Sequence, residues 1–239
     1  MANVPPPIRT LIFDLDGTLT TRKPSSLDVF FQLLGEYDYH PTVQTRRTTR
    51  QFIHYYWAGS PEAARDIKEL GKFTASFWEN YLIRQCLAFG CSKEEAVRLA
   101  AQLAPRWEDA YQPETVIPAD VHPTLKTLGQ AGYTLGLVSN RSQPFQEEIN
   151  QLGLSGYFQF SFTAGEVDSW KPDRKIFLHA LQRAETAPEK AAYIGDNYYA
   201  DILGARQVGI HPILIDPHDT FPGADCQIIR VVGDLLTQP

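Results

Sequence analysis

The pattern of apolar and polar residues changes twice along the chain, near residue 20 and near residue 112. Residues 9–13 are a short apolar run that ends in acidic residues and glycine, which predicts a buried strand followed by a loop. Residues 25–112 are rich in aromatic residues, Gln, Glu, Arg and Ala, and contain few strand-like runs. Helices are therefore predicted at 26–37, 42–57, 61–87 and 92–111, with helix starts at Ser60 and Ser92.

From residue 113 onward, short apolar runs alternate with helical segments. Strands are predicted at 133–138, 158–162, 191–194 and 210–215, and helices at 120–131, 143–152, 173–184 and 198–208. This alternation predicts an α/β fold with a parallel sheet covered by helices on both faces. The strand at 9–13 has no partner near it in sequence, so it must join this sheet. The predicted domains are therefore an α/β core at 1–20 and 113–239, and an inserted all-helical domain at 21–112.

Composition narrows the class of protein. The 239 residues are 43% hydrophobic and 21% charged, which is typical of a globular domain, and the net charge of −6 argues against a nucleic-acid partner. The sequence contains no apolar run of about 18 residues, so no membrane-spanning helix is predicted. The proline-rich residues 1–9 lack the apolar core of a signal peptide, so a cytoplasmic protein is expected. Accordingly, Cys86, Cys91 and Cys226 are expected to be reduced.

Two polar loops follow the first two strands of the predicted sheet. The first loop carries Asp14 and Asp16, whose spacing places both carboxylates on one side of an extended chain, and Gly17 permits a sharp turn. A solvated acidic turn is the alternative interpretation of this loop alone. The second loop carries Ser139 and Asn140, where a hydroxyl and backbone N–H groups before a helix suit a phosphate oxygen. The alternative for this loop is a simple helix cap.

Two further loops add a cation and two acids. Lys171 follows Trp170 and brings a positive charge to the edge of the sheet, although a lone lysine is more often a surface residue. Asp196 and Asp201 flank a strand-to-helix turn and offer the oxygen ligands that Mg²⁺ prefers. Acids that complement the dipole of the next helix are the alternative. Because the carboxyl ends of parallel strands share one edge, the four loops are expected to converge.

In this order the four loops resemble the motifs of the haloacid dehalogenase superfamily, whose hydrolases use an aspartate nucleophile. The resemblance covers residues 9–20 and 113–215, and it implies a Rossmann-like core with the helical cap domain of the first subfamily. It implies that Asp14 is the nucleophile. It also implies a Mg²⁺ site made by the Asp14 carboxylate, the Asp16 backbone carbonyl and the Asp196 carboxylate.

The expected reaction is Mg²⁺-dependent hydrolysis of a small phosphate monoester. Asp14 attacks phosphorus to give an aspartyl phosphate, and Asp16 protonates the leaving alkoxide and then activates water. Lys171 is expected to act in catalysis and to bind the phosphate, and the other phosphate-binding residues predicted are Ser139, Asn140 and Thr18. The Thr18 hydroxyl is also expected to orient Asp16, and Asp201 to orient a water or Lys171.

Three alternatives remain open at this point. A 2-haloacid dehalogenase needs neither metal nor a proton donor, because halide leaves as a stable anion, and such members of the superfamily lack an acid at the position of Asp16. A phosphosugar mutase of the same superfamily would keep Asp16. A non-catalytic binding protein on this fold would normally show a broken motif, and all four motifs are intact.

The inserted domain is expected to select a small phosphorylated metabolite. Arg46, Arg50 and His54 are spaced to form one stripe of a helix, which predicts either an anion-recognition face or a solvated face over packed aromatic residues. Arg22 and Lys23 come just after the first motif and are predicted to contact the substrate. Monomer and homodimer are both compatible with the sequence.

Overall fold

The computed structural model describes residues 3–236 and divides into two compact units. Unit 1 contains the described residues up to Thr21 and those from Val116 onward, and unit 2 contains Arg22–Thr115. The ends of unit 2, at residues 22 and 115, lie one and three residues from the predicted ends of the inserted domain, at 21 and 112. A helix long and apolar enough to cross a membrane is not found within residues 3–236.

Eight strands are present in the described residues: β1 (Thr10–Phe13), β2 (Thr21–Lys23), β3 (Glu114–Val116), β4 (Thr134–Ser139), β5 (Phe160–Thr163), β6 (Ala191–Gly195), β7 (His211–Ile215) and β8 (Gln227–Ile229). The α-helices of this part of the chain are α1 (Ser26–Gly35), α2 (Val43–Trp57), α3 (Pro61–Leu70), α4 (Ala75–Phe89), α5 (Lys93–Ala110), α6 (Val121–Gln130), α7 (Gln146–Gln151), α8 (Ala164–Val167), α9 (Arg174–Arg183) and α10 (Leu203–Arg206).

Unit 1 is built on a six-stranded sheet in the order β5-β4-β1-β6-β7-β8. Neighbouring strands run parallel, and the central strand β1 pairs through Thr10 with Thr134 of β4 and Ala191 of β6. The chain therefore leaves β1 at the point where the strand order reverses, which is where open α/β sheets bind ligands. The predicted α/β class with a parallel sheet is confirmed.

Alternating side chains of the strands bury two separate cores, one on each face of this sheet. Leu11 and Phe13 of β1 pack into one core, which also receives α6 and α7. Ile12 of β1 packs into the other core, which receives α9 and α10. Because both faces are covered by helices, the strands are apolar throughout rather than alternating, and this is why they could be recognised in the sequence.

Unit 2 contains α1 to α5 and buries two aromatic-rich cores. Ser92 begins α5 by accepting a hydrogen bond from the backbone N–H of Glu95, as its sequence predicted. At the two points where the chain passes between the units, β2 and β3 pair as a small two-stranded sheet that the sequence analysis did not predict. Such short strands leave little trace in the apolar pattern. The cysteines are free thiols, as expected.

The prediction of one helix over 61–87 was wrong, because the chain breaks between α3 and α4. Gly71 and Phe73 both have positive φ angles, of 82° and 63°, which a continuous right-handed helix excludes. Thr74 then begins α4 by accepting a hydrogen bond from the N–H of Phe77 at 3.2 Å. The predicted helix over 198–208 is also divided, into a π-helical turn at Tyr198–Ile202 and α10.

Candidate active site

The loop after β1 turns tightly and approaches the loop after β6. The carbonyl oxygen of Leu15 accepts backbone hydrogen bonds from three N–H groups ahead of it, at 2.9 to 3.3 Å. Gly17 has a φ of 91°, and a Cβ at this position would lie 2.4 Å from Oδ2 of Asp196. Glycine is therefore required here both by backbone conformation and by the close approach of the two loops.

Asp14, Lys171 and Asp201 form a buried ion triad at the carboxyl end of the central strands. The Nζ of Lys171 lies 2.6 Å from Oδ1 of Asp14 and 2.7 Å from Oδ1 of Asp201. All three residues are at most 5% exposed. Burial alone would lower the pKa of Lys171, but the charges of Asp14 and Asp201 outweigh it and hold that pKa well above the usual range. The lysine is therefore a fixed positive charge.

The carboxyl group of Asp14 has a strongly perturbed acidity. Burial, helped by the charges of Asp201 and Asp16, raises its pKa to about 7 even though the Lys171 ammonium opposes the shift. Burial and the charge of Asp14 likewise raise the pKa of Asp196 well above the usual range. A cluster of buried groups with displaced pKa values at the ends of strands is typical of a functional site.

The loop after β6 holds Asp196 and Asp201 in place through its own backbone. The Asn197 side chain accepts hydrogen bonds from the backbone N–H groups two and three residues ahead of it, and its own N–H donates to Oδ2 of Asp201 at 2.9 Å. Asp201 lies within the π-helical turn, a rare element that occurs mostly at functional sites. A Cβ on Gly195 would lie 2.3 Å from Oδ2 of Asp201, so glycine ends β6 for steric reasons.

Three carboxylates of this region suit a divalent cation. One oxygen each from Asp14, Asp196 and Asp201 lies within 4.8 Å of the others. Asp14 and Asp201 pair with the single ammonium of Lys171, so the three acids of this cluster outnumber the one cation beside them. Both the oxygen donors and this charge balance fit Mg²⁺. The raised acid pKa values have the same physical origin, because they report anions placed together out of water.

The second and third loops are joined by Asn140. Its Nδ2 donates to the backbone carbonyl of Lys171 at 3.0 Å, and its Oδ1 accepts from the backbone N–H of Lys171 at 2.7 Å. The predicted phosphate ligand thus has its side-chain amide engaged by the loop that carries the lysine. Ser139 is 1% exposed, and its Oγ lies 3.5 Å from Oδ2 of Asp16.

The side chain of Asp16 contacts Arg141, which the sequence analysis missed. Arg141 makes a bidentate ion pair with it, through Nε at 2.7 Å and Nη2 at 2.6 Å. The expectation that the Thr18 hydroxyl orients Asp16 was wrong. Thr18 is 3% exposed and its hydroxyl makes no hydrogen bond within the described part of the chain, whereas the Asp16 side chain is 44% exposed and faces Arg141. An arginine at a strand end that faces an acidic loop across the same edge was the signal available in the sequence.

The two residues predicted to contact the substrate lie in unit 2. Arg22 and Lys23 are exposed residues of β2. In the same unit the guanidinium of Arg46 lies over the ring of Phe31 at 4.8 Å, which gives part of the predicted basic stripe a packing role. Substrate contact by Arg22 and Lys23 stays a prediction.

Comparisons with known proteins identify a family for most of the chain. A sequence profile of the family described as haloacid dehalogenase-like hydrolase matches residues 8–209. The chain is 27% identical over 218 residues to ribulose-1,5-bisphosphate 5-phosphatase of Halopiger xanaduensis, covering 87% of this chain and 85% of that protein. It is 33% identical over 147 residues to haloacid dehalogenase-like hydrolase domain-containing protein 3 of Mus musculus. That match covers 61% of this chain but only 57% of the mouse protein.

A solved structure extends the likeness to nearly the whole chain. The crystal structure of 2-haloacid dehalogenase from Pseudomonas syringae pv. Tomato DC3000 superposes with a TM-score of 0.53 at 25% sequence identity, covering 95% of this chain and 96% of that one. The likeness therefore includes a protein named for dehalogenation as well as one named for phosphate ester hydrolysis.

Proposed function

The chain belongs to the haloacid dehalogenase-like hydrolases, and from that membership we propose that it is a Mg²⁺-dependent phosphatase that forms an aspartyl phosphate on Asp14. The observation that carries the proposal is the buried triad in which Lys171 binds Oδ1 of Asp14 and Oδ1 of Asp201. Such an arrangement fixes a carboxylate nucleophile at the carboxyl ends of the strands, the edge at which open α/β sheets bind ligands.

One oxygen of the Asp14 carboxylate is bound by Lys171, and the other oxygen can act as the nucleophile. Lys171 engages Oδ1, and Oδ2 makes no hydrogen bond with the residues described here. Oδ2 attacks phosphorus, the bond to the alcohol oxygen breaks, and the phosphoryl group remains on Asp14. The ammonium of Lys171 lies next to the charge that develops on the transferring group.

The residues that would hold Mg²⁺ are Asp14, Asp196 and the backbone carbonyl of Asp16. When bound, the ion offsets the repulsion between the nucleophile and a phosphate dianion. Asp201 contributes an oxygen to the same cluster, but its bond to Lys171 gives it a positioning role in this proposal.

Asp16 supplies the protons. It gives one to the alkoxide as the ester bond breaks, and it takes one from the water that hydrolyses the aspartyl phosphate, so the enzyme returns to its starting state. Ser139 lies beside Asp16 and is proposed to bind a phosphate oxygen in the same step. A halide needs no such proton, so Asp16 is the residue that favours a phosphate ester over a haloacid.

The substrate proposed is a small phosphorylated metabolite. The Halopiger relative is named for a phosphorylated sugar, and it aligns over most of both chains. Arg22 and Lys23, which are exposed residues of β2, are proposed to contact the substrate. We propose a cytoplasmic location for the protein, because its three cysteines are free thiols.

Activity on 4-nitrophenyl phosphate, with and without Mg²⁺, tests the reaction. We expect phosphate release that requires Mg²⁺ and is lost in Asp14→Asn. Metal-independent turnover, or an unchanged Asp14→Asn variant, would contradict the mechanism.

Halide release from 2-chloropropionate would identify a dehalogenase, which the Pseudomonas structure keeps as the second candidate. A panel of phosphorylated sugars, phosphoglycolate and nucleotides then identifies the substrate, and phosphoryl transfer within a sugar without phosphate release would identify a mutase.

A further inference from the structure

The carboxylate of Asp16 is held by both oxygens. Nε of Arg141 donates to Oδ2 at 2.7 Å and Nη2 donates to Oδ1 at 2.6 Å, which is the parallel two-bond geometry that guanidinium groups form with carboxylates. The two residues are 125 positions apart in the chain and meet because their strands, β1 and β4, are neighbours in the sheet.

Arg141 is itself anchored by α7. Its Nη1 donates to Oε2 of Glu148, and its Nη2 also lies 3.2 Å from Oε1 of the same residue. The guanidinium thus joins a carboxylate of the first loop to a carboxylate on a helix of the same unit. Because its side chain is only 23% exposed, its position is set by these two partners rather than by water.

The Asp16 side chain has little else to fix it. It is 44% exposed, and its other hydrogen-bond partner among residues 3–236 is Ser139, at a distance of 3.5 Å. An exposed aspartate adopts several rotamers in water, and a proton donor must lie within hydrogen-bond reach of the atom that receives the proton. Arg141 fixes the rotamer by occupying one lone pair on each oxygen, which leaves the second lone pair of an oxygen to carry the proton that Asp16 donates.

We propose that Arg141 is a positioning residue for Asp16, and that Glu148 positions Arg141 in turn. The inference rests on the proposed function, since it assigns Arg141 to the residue that supplies protons in that mechanism. Arg141 makes no hydrogen bond to Asp14 or Lys171 within the described residues, so it acts through Asp16 and not on the phosphoryl group directly.

The dependence of kcat/KM on the leaving group distinguishes a loss of proton transfer from a general loss of activity. Phenolate, with a pKa of about 10 like that of tyrosine, needs a proton as it leaves more than the weaker base 4-nitrophenolate does. The test compares kcat/KM on phenyl phosphate and 4-nitrophenyl phosphate, because kcat/KM reports the steps up to aspartyl-phosphate formation. We expect Arg141→Gln to lower kcat/KM on phenyl phosphate roughly tenfold more than on 4-nitrophenyl phosphate.

Three further variants make the comparison specific. Arg141→Lys keeps the charge but cannot form two parallel bonds, so it is expected to restore only part of the loss. Glu148→Gln is expected to show the same bias to a smaller degree. Glu147→Gln, a neighbouring change on α7 whose side chain contacts Gln151, is the matched control and should show no bias. Equal loss on both substrates in Arg141→Gln, no loss, or faster turnover of phenyl phosphate would overturn the proposal.

The Asp16→Asn variant tests proton transfer by Asp16 independently of the positioning role of Arg141. If Asp16→Asn shows no leaving-group bias, the proposed proton transfer is wrong and the role of Arg141 falls with it. If Asp16→Asn shows the bias and folded Arg141→Gln and Arg141→Lys do not, the mechanism stands and the positioning role is wrong. In the double variant, Arg141→Gln should add little to the bias of Asp16→Asn, because both changes remove the same interaction.

Discussion

The side chain of Asn140 makes two hydrogen bonds with the backbone of Lys171, at 2.7 and 3.0 Å, although 31 residues separate the two positions. The amide of one loop thereby fixes the backbone of the next. Because the ammonium of Lys171 reaches Asp14 at 2.6 Å, a small shift of this backbone moves the charge away from the nucleophile.

Replacing Asn140 is therefore expected to slow the reaction without abolishing folding. Asn140→Ala removes both bonds, and a misplacement near 1 Å of a catalytic group can cost about 100-fold in rate. We expect turnover of 4-nitrophenyl phosphate at saturating substrate to slow by roughly one to two orders of magnitude. Asn150→Ala, on the exposed surface of α7, is the control. An unchanged turnover rate in Asn140→Ala would show that the Lys171 loop holds its position unaided.

Removing the ammonium of Lys171 is expected to destabilise unit 1 as well as stop catalysis. Lys171→Met leaves the buried carboxylates of Asp14 and Asp201 without their cation, and breaking a buried ion pair in this way costs about 3–5 kcal/mol. Urea unfolding at pH 8 measures the loss of unfolding free energy. Lys175→Met, an exposed lysine of α9, should leave stability nearly unchanged. A stable Lys171→Met protein would mean that the two acids are protonated or hydrated there.

Adding one methyl group at Gly195 is expected to displace Asp201. The new Cβ would lie 2.3 Å from Oδ2 of Asp201, so the acid must move and weaken its contact with Lys171. Overpacking of this kind costs about 1–3 kcal/mol. Gly129→Ala is the control, because a Cβ there meets nothing within 4 Å and alanine favours the helix. Equal thermal stability of the two variants would contradict the close packing described.

Binding of Mg²⁺ is expected to strengthen as the pH rises from about 5 to about 8. The pKa of Asp14 is raised to about 7, so below that pH the carboxyl group holds a proton that the ion must displace. In the absence of metal, the raised pKa of Asp14 has the opposite consequence, because it lowers the stability of the folded state as the pH rises. The folded state binds this proton more tightly than the unfolded state does, so the contribution of Asp14 to stability falls as the pH rises from about 4 to about 7.

Differential scanning fluorimetry across this pH range measures the metal-free stability when Mg²⁺ is absent. The increase in Tm at a fixed, subsaturating Mg²⁺ concentration reports metal binding. The increase in Tm caused by Mg²⁺ should be larger at pH 8 than at pH 5.5, and Asp14→Asn should flatten that dependence. Ca²⁺ serves to compare ions with different coordination preferences. A Tm increase that is independent of pH in the wild-type protein would place the bound ion away from Asp14.

Much of the core fold was predictable because its strands are apolar on both faces. Such strands appear as short continuous runs, and the acidic and basic loops that follow them stand out against that background. Asp14, Lys171 and Asp201 could be expected at one edge for this reason alone. The distances between these side chains could not be predicted, because they depend on how three loops pack against one another.

The features that the sequence did not predict have three separate causes. The pairing of Asp16 with Arg141 is set by strand order, which brings together loops that are 125 residues apart. The break between α3 and α4 depends on Phe73, a non-glycine residue with a positive φ, for which the sequence carries no reliable signal. Thr18 was misjudged because its place in a polar motif suggested an exposed hydroxyl, whereas the tight loop buries it.

The position of β1 at the centre of the sheet has a consequence for biosynthesis. Thr10 pairs with Thr134 and Ala191, so the strand that leads to the nucleophile emerges from the ribosome long before either neighbour. All of unit 2 is translated in that interval, and its local helical contacts can form first. Until β4 and β6 arrive, β1 is an apolar strand with two open edges. A nascent chain stalled before residue 191 would therefore carry an unpaired strand edge that can pair with another chain and aggregate.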